Sequence, residues 1–246
     1  MTPLDLDDDA RVLVLTGAGA SADSGIPTFR DARGLWRTHR FEDVASPEGF
    51  RRDPTLVWQF YSERRAGVLR AHPNAGHHAL AKLEARLGDR FLLATQNVDG
   101  LHARAGSERL LEIHGNLLKT RCAVCRRVPF EDHDLYEESP PFCGECQARG
   151  KTALLRPHIV WFGEQLDPEH LRTLERFMLD AGARLRFVAI GTSGNVWPAA
   201  GLVDVARRVG GRTWLVNAEP AANTDAFEHF VCGKSAEVLP DFLGVA

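Results

Sequence analysis

At 246 residues, with 44% hydrophobic and 26% charged side chains, the chain can bury a full core and form one α/β domain with an insertion or two unequal domains. A formal net charge of −3 gives no overall attraction to nucleic acid or to an anionic membrane. The acidic first ten residues lack an apolar leader core, and no later run reaches the ~18 apolar residues of a membrane span, so the chain reads as soluble and cytoplasmic, with no membrane partner.

Residues 12–15, Val-Leu-Val-Leu, are apolar without alternation, the pattern of a strand buried on both faces of a parallel sheet. Thr16 ends the run and Gly17-Ala18-Gly19 follows at once. Small residues after such a strand let the backbone approach a ligand, and the next helix can offer N–H groups to a diphosphate. The run lacks the third glycine of G-x-G-x-x-G, and a plain tight turn uses the same glycines. Pro27 then stiffens a loop carrying Phe29 and Arg30, a ring and a guanidinium suited to covering a ligand and holding phosphate.

A helix is expected over 54–69, with Pro54 at its start and Leu56, Val57, Phe60, Tyr61, Ala66 and Leu69 on one face. After His72-Pro73-Asn74 a second helix has Ala79, Leu80, Leu83 and Leu87 as its apolar stripe and Gly88 near its end. Residues 91–95 form the next buried strand and run into Gln96-Asn97-Val98-Asp99-Gly100. Residues 110–114 repeat the pattern and end in His114-Gly115-Asn116.

Four of the five cysteines form Cys122-x-x-Cys125 and Cys143-x-x-Cys146, with seventeen residues between the pairs. Two tight turns that bring four thiolates together are tetrahedral zinc chemistry; disulfides suit a secreted chain, and a redox motif needs only one pair. The zinc segment, about 120–152, has little core without its metal. Cys232 reads as a small buried residue at a strand end.

Residues 154–164 read as an irregular extended segment and 167–180 as a helix. A strand over 185–190 ends in Gly191-Thr192-Ser193-Gly194, a helix covers 198–209, and a strand over 213–216 leads to Asn217-Ala218-Glu219. The last helix is near 235–243. Strand ends after Thr16, Thr95, Ile190 and Val216 all carry small or polar residues, so the economical architecture is α/β, a doubly wound parallel sheet with one ligand crevice.

In chain order, GAGASADSGIPTFR at 17–30, TQNVDGLH at 95–102, HGN at 114–116, the paired C-x-x-C, RPHIVWFGE at 156–164, GTSGNVWPAAGL at 191–202 and VNAEP at 216–220 resemble the motifs of sirtuins, NAD-dependent protein deacylases. The resemblance spans nearly the whole chain. It implies a Rossmann-like domain from 1–38, 74–119 and 155–246, a helical module at 39–73 and a small zinc-binding module at 120–154, with NAD as co-substrate and one structural zinc on Cys122, Cys125, Cys143 and Cys146. It puts Gly17, Ala18, Gly19, Ser21, Ala22, Phe29 and Arg30 on NAD, and Gln96, Asn97 and Asp99 on the nicotinamide side. Gly191, Thr192, Ser193, Asn217 and Glu219 would lie along ribose and adenine, with Ser235 placed by counting back from Val238-Leu239-Pro240.

Breaking the glycosidic bond to nicotinamide creates an oxocarbenium-like centre that the acyl-lysine amide oxygen can capture, so no protein nucleophile is needed. A base for a ribose hydroxyl is needed, and His114 is the matching residue. Any of the ten histidines, including His77, His78 and His102, reads by itself as a capping or core residue. Asn97 would orient ribose or water and Asp99 would accept from the nicotinamide carboxamide, where Asn-x-Asp-Gly alone reads as an Asx turn. An acylated protein or peptide would add as a strand between Val160, Phe162, Gly163 and Glu164 on one side and Asn195 and Val196 on the other.

Tyr61-x-x-Arg64 matches the pair that marks the sirtuin branch acting on succinyl- and malonyl-lysine. At i, i+3 the two side chains share a helix face, and hydroxyl plus guanidinium can hold one carboxylate; the resemblance places small Ala45 where that branch keeps its pocket wide. The alternative is a packed aromatic beside a solvated arginine, with Arg65 one more arginine nearby. The expected activity is removal of acetyl and succinyl or malonyl groups from protein lysines, giving nicotinamide, free lysine and 2'-O-acyl-ADP-ribose. A general deacetylase and a mono-ADP-ribosyltransferase are alternatives. A nicotinamide oxidoreductase would want an acidic residue about 20 positions past the glycines, where arginines stand. A zinc-ribbon nucleic-acid binder has only Lys119, Arg121, Arg126 and Arg127 behind it, so a nucleic-acid partner is not expected.

Overall fold

The computed structural model describes residues 2–27, 35–36 and 39–245. β1 (Arg11–Thr16) runs into a 3-10 turn at Ala18–Ser24, and β2 (Leu35–Trp36) pairs with β3 (His39–Arg40). Short helices α1 (Phe41–Val44) and α2 (Pro47–Arg52) precede the long α3 (Pro54–Arg70) and α4 (Ala75–Leu87). Then come β4 (Phe91–Thr95), α5 (Leu101–Arg104), β5 (Leu110–Glu112), β6 (Gly115–Cys122), β7 (Phe130–Glu131), α6 (Gly144–Ala148) and β8 (Leu155–Ile159). The chain closes with α7 (Pro168–Ala181), β9 (Leu185–Ile190), α8 (Leu202–Arg208), β10 (Arg212–Asn217), β11 (His229–Cys232) and α9 (Ser235–Phe242). No helix among the described residues is long and apolar enough to cross a membrane.

Among the described residues the main sheet runs β11-β10-β9-β1-β4-β5, all parallel, so the direction of winding reverses between β1 and β9. The register aligns Thr16 with Thr95 on one side and Ile190 on the other, which brings the three polar strand ends to one edge. The unalternating apolar run of β1 follows from burial on both faces. Val12 and Val14 pack with Leu80 and Leu83 of α4 and Leu239 of α9, while Leu13 and Leu15 pack with Leu174 and Met178 of α7 and Val203 of α8. Side-chain caps start the long helices: Asp53 accepts from the Leu56 N–H, Asp167 from Glu169, and Asn74 forms a reciprocal box with His77.

A smaller antiparallel sheet, β7-β6-β8, carries the cysteines. Its core is shared with α3: Trp58, Phe60 and Tyr61 pack in one cluster with Leu117, Cys122, Cys143, Cys146, Leu155 and Trp161. The short metal-binding segment thereby gains an apolar wall that its own sequence lacks.

Four expectations need correction. The irregular extended reading of 154–164 holds for 160–164 but not for 155–159, which form a strand against β6 with a register shift between Asn116 and Thr120, a partner that leaves no trace in the 154–164 sequence. The buried side of α3 is Val57, Trp58, Phe60, Tyr61, Ser62, Arg65 and Val68, while Leu69 is exposed, because the helix packs on two sides and takes a charged residue inside. Cys232 does end a strand, but on the outermost strand of the sheet it is exposed. The expected 198–209 helix begins as a 3-10 turn, Ala199–Gly201, before α8.

Candidate active site

The loops after β1 and β9 meet at the point where the winding reverses. The Gly17 N–H donates to the Ile190 carbonyl at 2.9 Å, and the Gly19 N–H to the Gly191 carbonyl at 2.8 Å. A Cβ on Gly19 would lie 2.7 Å from Gly191 Cα, and one on Gly191, at φ +62°, would lie 2.3 Å from the Ala20 nitrogen. Glycine is therefore required here for two backbones to touch. Gln96 joins the same edge, donating its N–H to Thr16 O at 2.9 Å and its amide to Thr192 Oγ1 at 3.3 Å. From the next strand Asn217 donates to Thr192 O at 3.0 Å, and the Ser235 hydroxyl at the start of α9 donates to Ala20 O at 3.4 Å. Gly17, Ala18, Gly19, Ser21, Ala22, Gln96, Gly191, Thr192, Asn217 and Ser235 thus converge. Ser193 and Glu219 are exposed on the flanking loops, and Phe29 and Arg30 lie outside the described residues.

Beneath this edge is a buried polar knot. The Ser21 hydroxyl donates to Asp99 Oδ2 at 2.7 Å and accepts from Asn97 Nδ2 at 3.1 Å, while Asn97 also donates to Gly17 O at 3.0 Å. Asp99 accepts the Leu101 N–H at 2.9 Å as well, so it closes an Asx turn and still faces the cradle. Burial pushes its pKa up against the pull of those hydrogen bonds and of Arg104. His77 and His102, which read from sequence as capping or core residues, are both buried, and His77 completes the cap of α4. The Asn74 N–H donates to His77 Nδ1 at 3.2 Å, which leaves Nε2–H aimed at Ser21 Oγ at 3.4 Å. The two imidazoles lie 4.6 Å apart, and burial lowers the pKa of His77 to about 4 and of His102 to about 3, so both are neutral.

His114 follows β5 at the junction of the two sheets, where its carbonyl accepts the Val160 N–H at 2.9 Å. Its Nδ1 lies 3.1 Å from the Gln96 carbonyl and must donate to it, so Nε2 is the unprotonated nitrogen. Nε2 has no hydrogen-bond partner among the described residues. Burial lowers the pKa against the opposing effect of that hydrogen bond, which keeps the ring neutral and ready to accept a proton.

On the other side of Val160, Tyr61 is buried and its hydroxyl accepts the Trp161 Nε1–H at 3.0 Å; burial pushes its pKa up to about 12. Arg64 is half-buried and stacks over the Phe60 ring, with Cζ 4.7 Å from the centroid. Ala45 is buried and its carbonyl takes the Phe162 N–H at 3.0 Å. Val160 is half-buried, Phe162 and Gly163 are exposed, and Asn195 and Val196 sit exposed on a separate loop. Glu164 is engaged by the protein itself: Arg156 grips it at 2.6 and 2.9 Å, Arg121 lies at 3.2 Å, and the Trp161 N–H donates to it at 2.9 Å. Trp161 and Arg156, which sequence reasoning passed over, organise this loop, with Arg156 Cζ 3.3 Å over the indole. A separate cleft of about 390 Å³ lined by Glu112, Asn116, Lys119, Glu131 and His158 contains none of the nominated residues.

The four cysteine sulfurs lie within 4.8 Å of one another. Cys122 to Cys146 and Cys125 to Cys143 are each 3.8 Å, close to the ~3.8 Å edge of a tetrahedron with ~2.3 Å zinc–sulfur bonds. Burial raises the Cys122 thiol, but the N–H groups of Cys125 and Val124 outweigh it and bring the pKa to about 7. The tetrad fits one structural zinc.

Glycine and polar loops where a parallel sheet reverses its winding, with a tautomer-fixed imidazole nearby and a four-cysteine lobe beside them, are the arrangement used by α/β nucleotide-binding enzymes. The Sir2 family profile matches residues 17–198, and the chain belongs to the Sir2 family. It is 49% identical to a Salmonella typhimurium protein named NAD-dependent protein deacylase, over 96% of this chain and 84% of that one. Among solved structures, a Sir2 homologue complexed with NAD aligns at TM-score 0.85 and 38% identity, over 99% of this chain and 95% of the other. A Sir2 complex with a deacetylated p53 peptide and 3'-O-acetyl ADP-ribose aligns at TM-score 0.81 and 31% identity, over 95% and 92%.

Proposed function

We propose that the chain is an NAD-dependent protein-lysine deacylase that favours succinyl- and malonyl-lysine. The observation that carries the deacylase reading is His114, whose Nδ1 is committed to the Gln96 carbonyl while Nε2 stays open beside the glycine cradle. Relatives named NAD-dependent protein deacylase and a Sir2–NAD complex of the same fold support it.

When bound, NAD would supply a glycosidic carbon from which nicotinamide departs as the leaving group and which the acyl oxygen of the modified lysine can capture. Gly17, Ala18, Gly19, Ser21, Ala22, Gln96, Gly191, Thr192, Ser193, Asn217, Glu219 and Ser235, with Phe29 and Arg30, would hold it. Asp99, steadied by Ser21 and the Leu101 N–H, keeps lone pairs for a carboxamide N–H, and Asn97 holds ribose or water. His114 Nε2 takes the proton of a ribose hydroxyl so that this oxygen can attack the acyl carbon. The peptide lies between residues 160–164 and Asn195-Val196, while Tyr61 and Arg64 meet the far end of the acyl group beside Ala45. Burial around Tyr61 makes a charge-assisted contact there count for more than it would in water.

The test is product analysis with NAD and an acyl-lysine peptide. Nicotinamide and acyl-ADP-ribose should form in equal amounts, with no label from adenine-labelled NAD left on protein. ADP-ribose retained on protein, with the acyl group still on lysine, would contradict deacylation.

A further inference from the structure

We propose that Trp161 is the positioning residue for acyl selectivity: its indole N–H fixes the Tyr61 hydroxyl as a proton donor toward the acyl group. This rests on the reading of Tyr61 and Arg64 as an acyl-carboxylate site.

Trp161 Nε1 can only donate, so at 3.0 Å the Tyr61 oxygen is the acceptor and its own proton must point elsewhere. Both side chains are 2% exposed, so water does not compete for the contact. No acceptor for the Tyr61 proton is found among the described residues. A buried donor without an acceptor is costly, and a ligand oxygen that reaches it relieves that cost. The phenol stays protonated because burial raises its pKa to about 12. A group meeting this hydroxyl must therefore accept a hydrogen bond, which suits a carboxylate and penalises a donor such as an ammonium.

The indole is itself held from three sides. Phe50 lies 5.3 Å from its ring, Arg156 covers its face at 3.3 Å, and the Trp161 backbone N–H donates to Glu164, which Arg156 grips through two bonds. Glu164, expected from sequence to meet the peptide, thus also locks the loop that aims the Trp161 N–H. Val160, one residue earlier, is bonded to the His114 carbonyl, so a single backbone step separates the base's anchor from the acyl-reading indole.

The experiment compares kcat/KM for succinyl- and acetyl-lysine versions of one peptide, using the full zinc-loaded chain as wild type, Trp161→Phe, Tyr61→Phe and the double variant. Trp161→Phe should lower the succinyl-to-acetyl ratio about fivefold, mainly through KM, the size expected for one buried hydrogen bond. In the Tyr61→Phe background the same change should leave the ratio where it was, because the hydroxyl it acts through is gone. Benzothienylalanine at position 161 keeps the ring shape without the N–H and should reproduce the shift, which guards against a packing defect in Trp161→Phe. An equal loss on both peptides, or a ratio shift that persists without the Tyr61 hydroxyl, overturns the proposal. A wild type with no succinyl advantage overturns the underlying carboxylate reading instead.

Discussion

His114 holds its proton on Nδ1 because the Gln96 carbonyl is there to take it, and its pKa lies below the ordinary 6.5 because the ring is partly buried. A base with a depressed pKa is already deprotonated at lower pH, so the acidic limb of the kcat/KM profile should fall below pH 6.5 and the rate should be level above it. A limb at or above that value would remove His114 from the role. His114→Ala should lower turnover by about 100-fold or more while NAD affinity and melting temperature hold, as isothermal titration and calorimetry can report. His77 and His102 were legible only as ordinary histidines, and their pairing emerged from burial of two separate helices against one strand end. Their folded pKa values near 4 and 3 lie below the free value of 6.5, so below pH 6.5 the unfolded chain binds protons that the folded chain refuses. Stability should therefore drop as pH falls from 6.5 toward 4, by about 1.4 kcal/mol per unit for each ring. Melting temperatures across that range should show the slope, shallower in His102→Gln; an unchanged slope in the variant would contradict the assignment.

At the scale of elements, α3 faces two ways. The Tyr61 hydroxyl meets the Trp161 indole and Arg64 stacks on Phe60, whereas Arg65 enters the cysteine-bearing sheet at 0% exposure, where it donates to Leu117 O at 3.0 Å, Asp134 O at 2.6 Å and Thr120 Oγ1 at 3.0 Å and pairs with Asp132 at 3.2 Å. From sequence Arg65 was only another arginine, because its acceptors arrive from chain more than fifty residues away. Arg65→Met should cost about 3 to 5 kcal/mol in urea unfolding by stranding the Asp132 carboxylate; a loss under 1 kcal/mol would show the pair to be dispensable. The cysteine pairs were fully legible because both turns are local, and the core they share with Trp58 and Trp161 was not. Cys143 is fully buried, and Cys143→Ala should abolish zinc binding and lower the melting temperature, since metal affinity and module folding are one free energy. Retained zinc by elemental analysis would argue against the tetrad. Strand β8 reads from sequence only as an extended segment because Pro157 sits in its middle, which argues against a ladder, and its partner strand lies over thirty residues earlier.

Across the whole molecule, what could be read in advance was the set of buried strands and the polar residues at their carboxyl ends, since a strand buried on both faces has an unmistakable apolar run. The order of those strands, the contact between Gly19 and Gly191, and the lock from Glu164 to Tyr61 depend on chain that meets only after folding. The same assembly sets His114 at the junction of the two sheets, with Val160 bonded to its carbonyl and Trp161, which holds the Tyr61 hydroxyl, one residue further on. The most direct measurement is NAD-dependent turnover of one peptide carrying acetyl-, malonyl- or succinyl-lysine, by wild type and Arg64→Met. The account predicts faster turnover of the two acidic acyl groups by wild type and loss of about tenfold or more of that advantage in Arg64→Met, the scale of one charge-assisted contact. Equal or better turnover of acetyl-lysine, with the variant unchanged, would contradict acidic-acyl recognition and leave a general deacetylase.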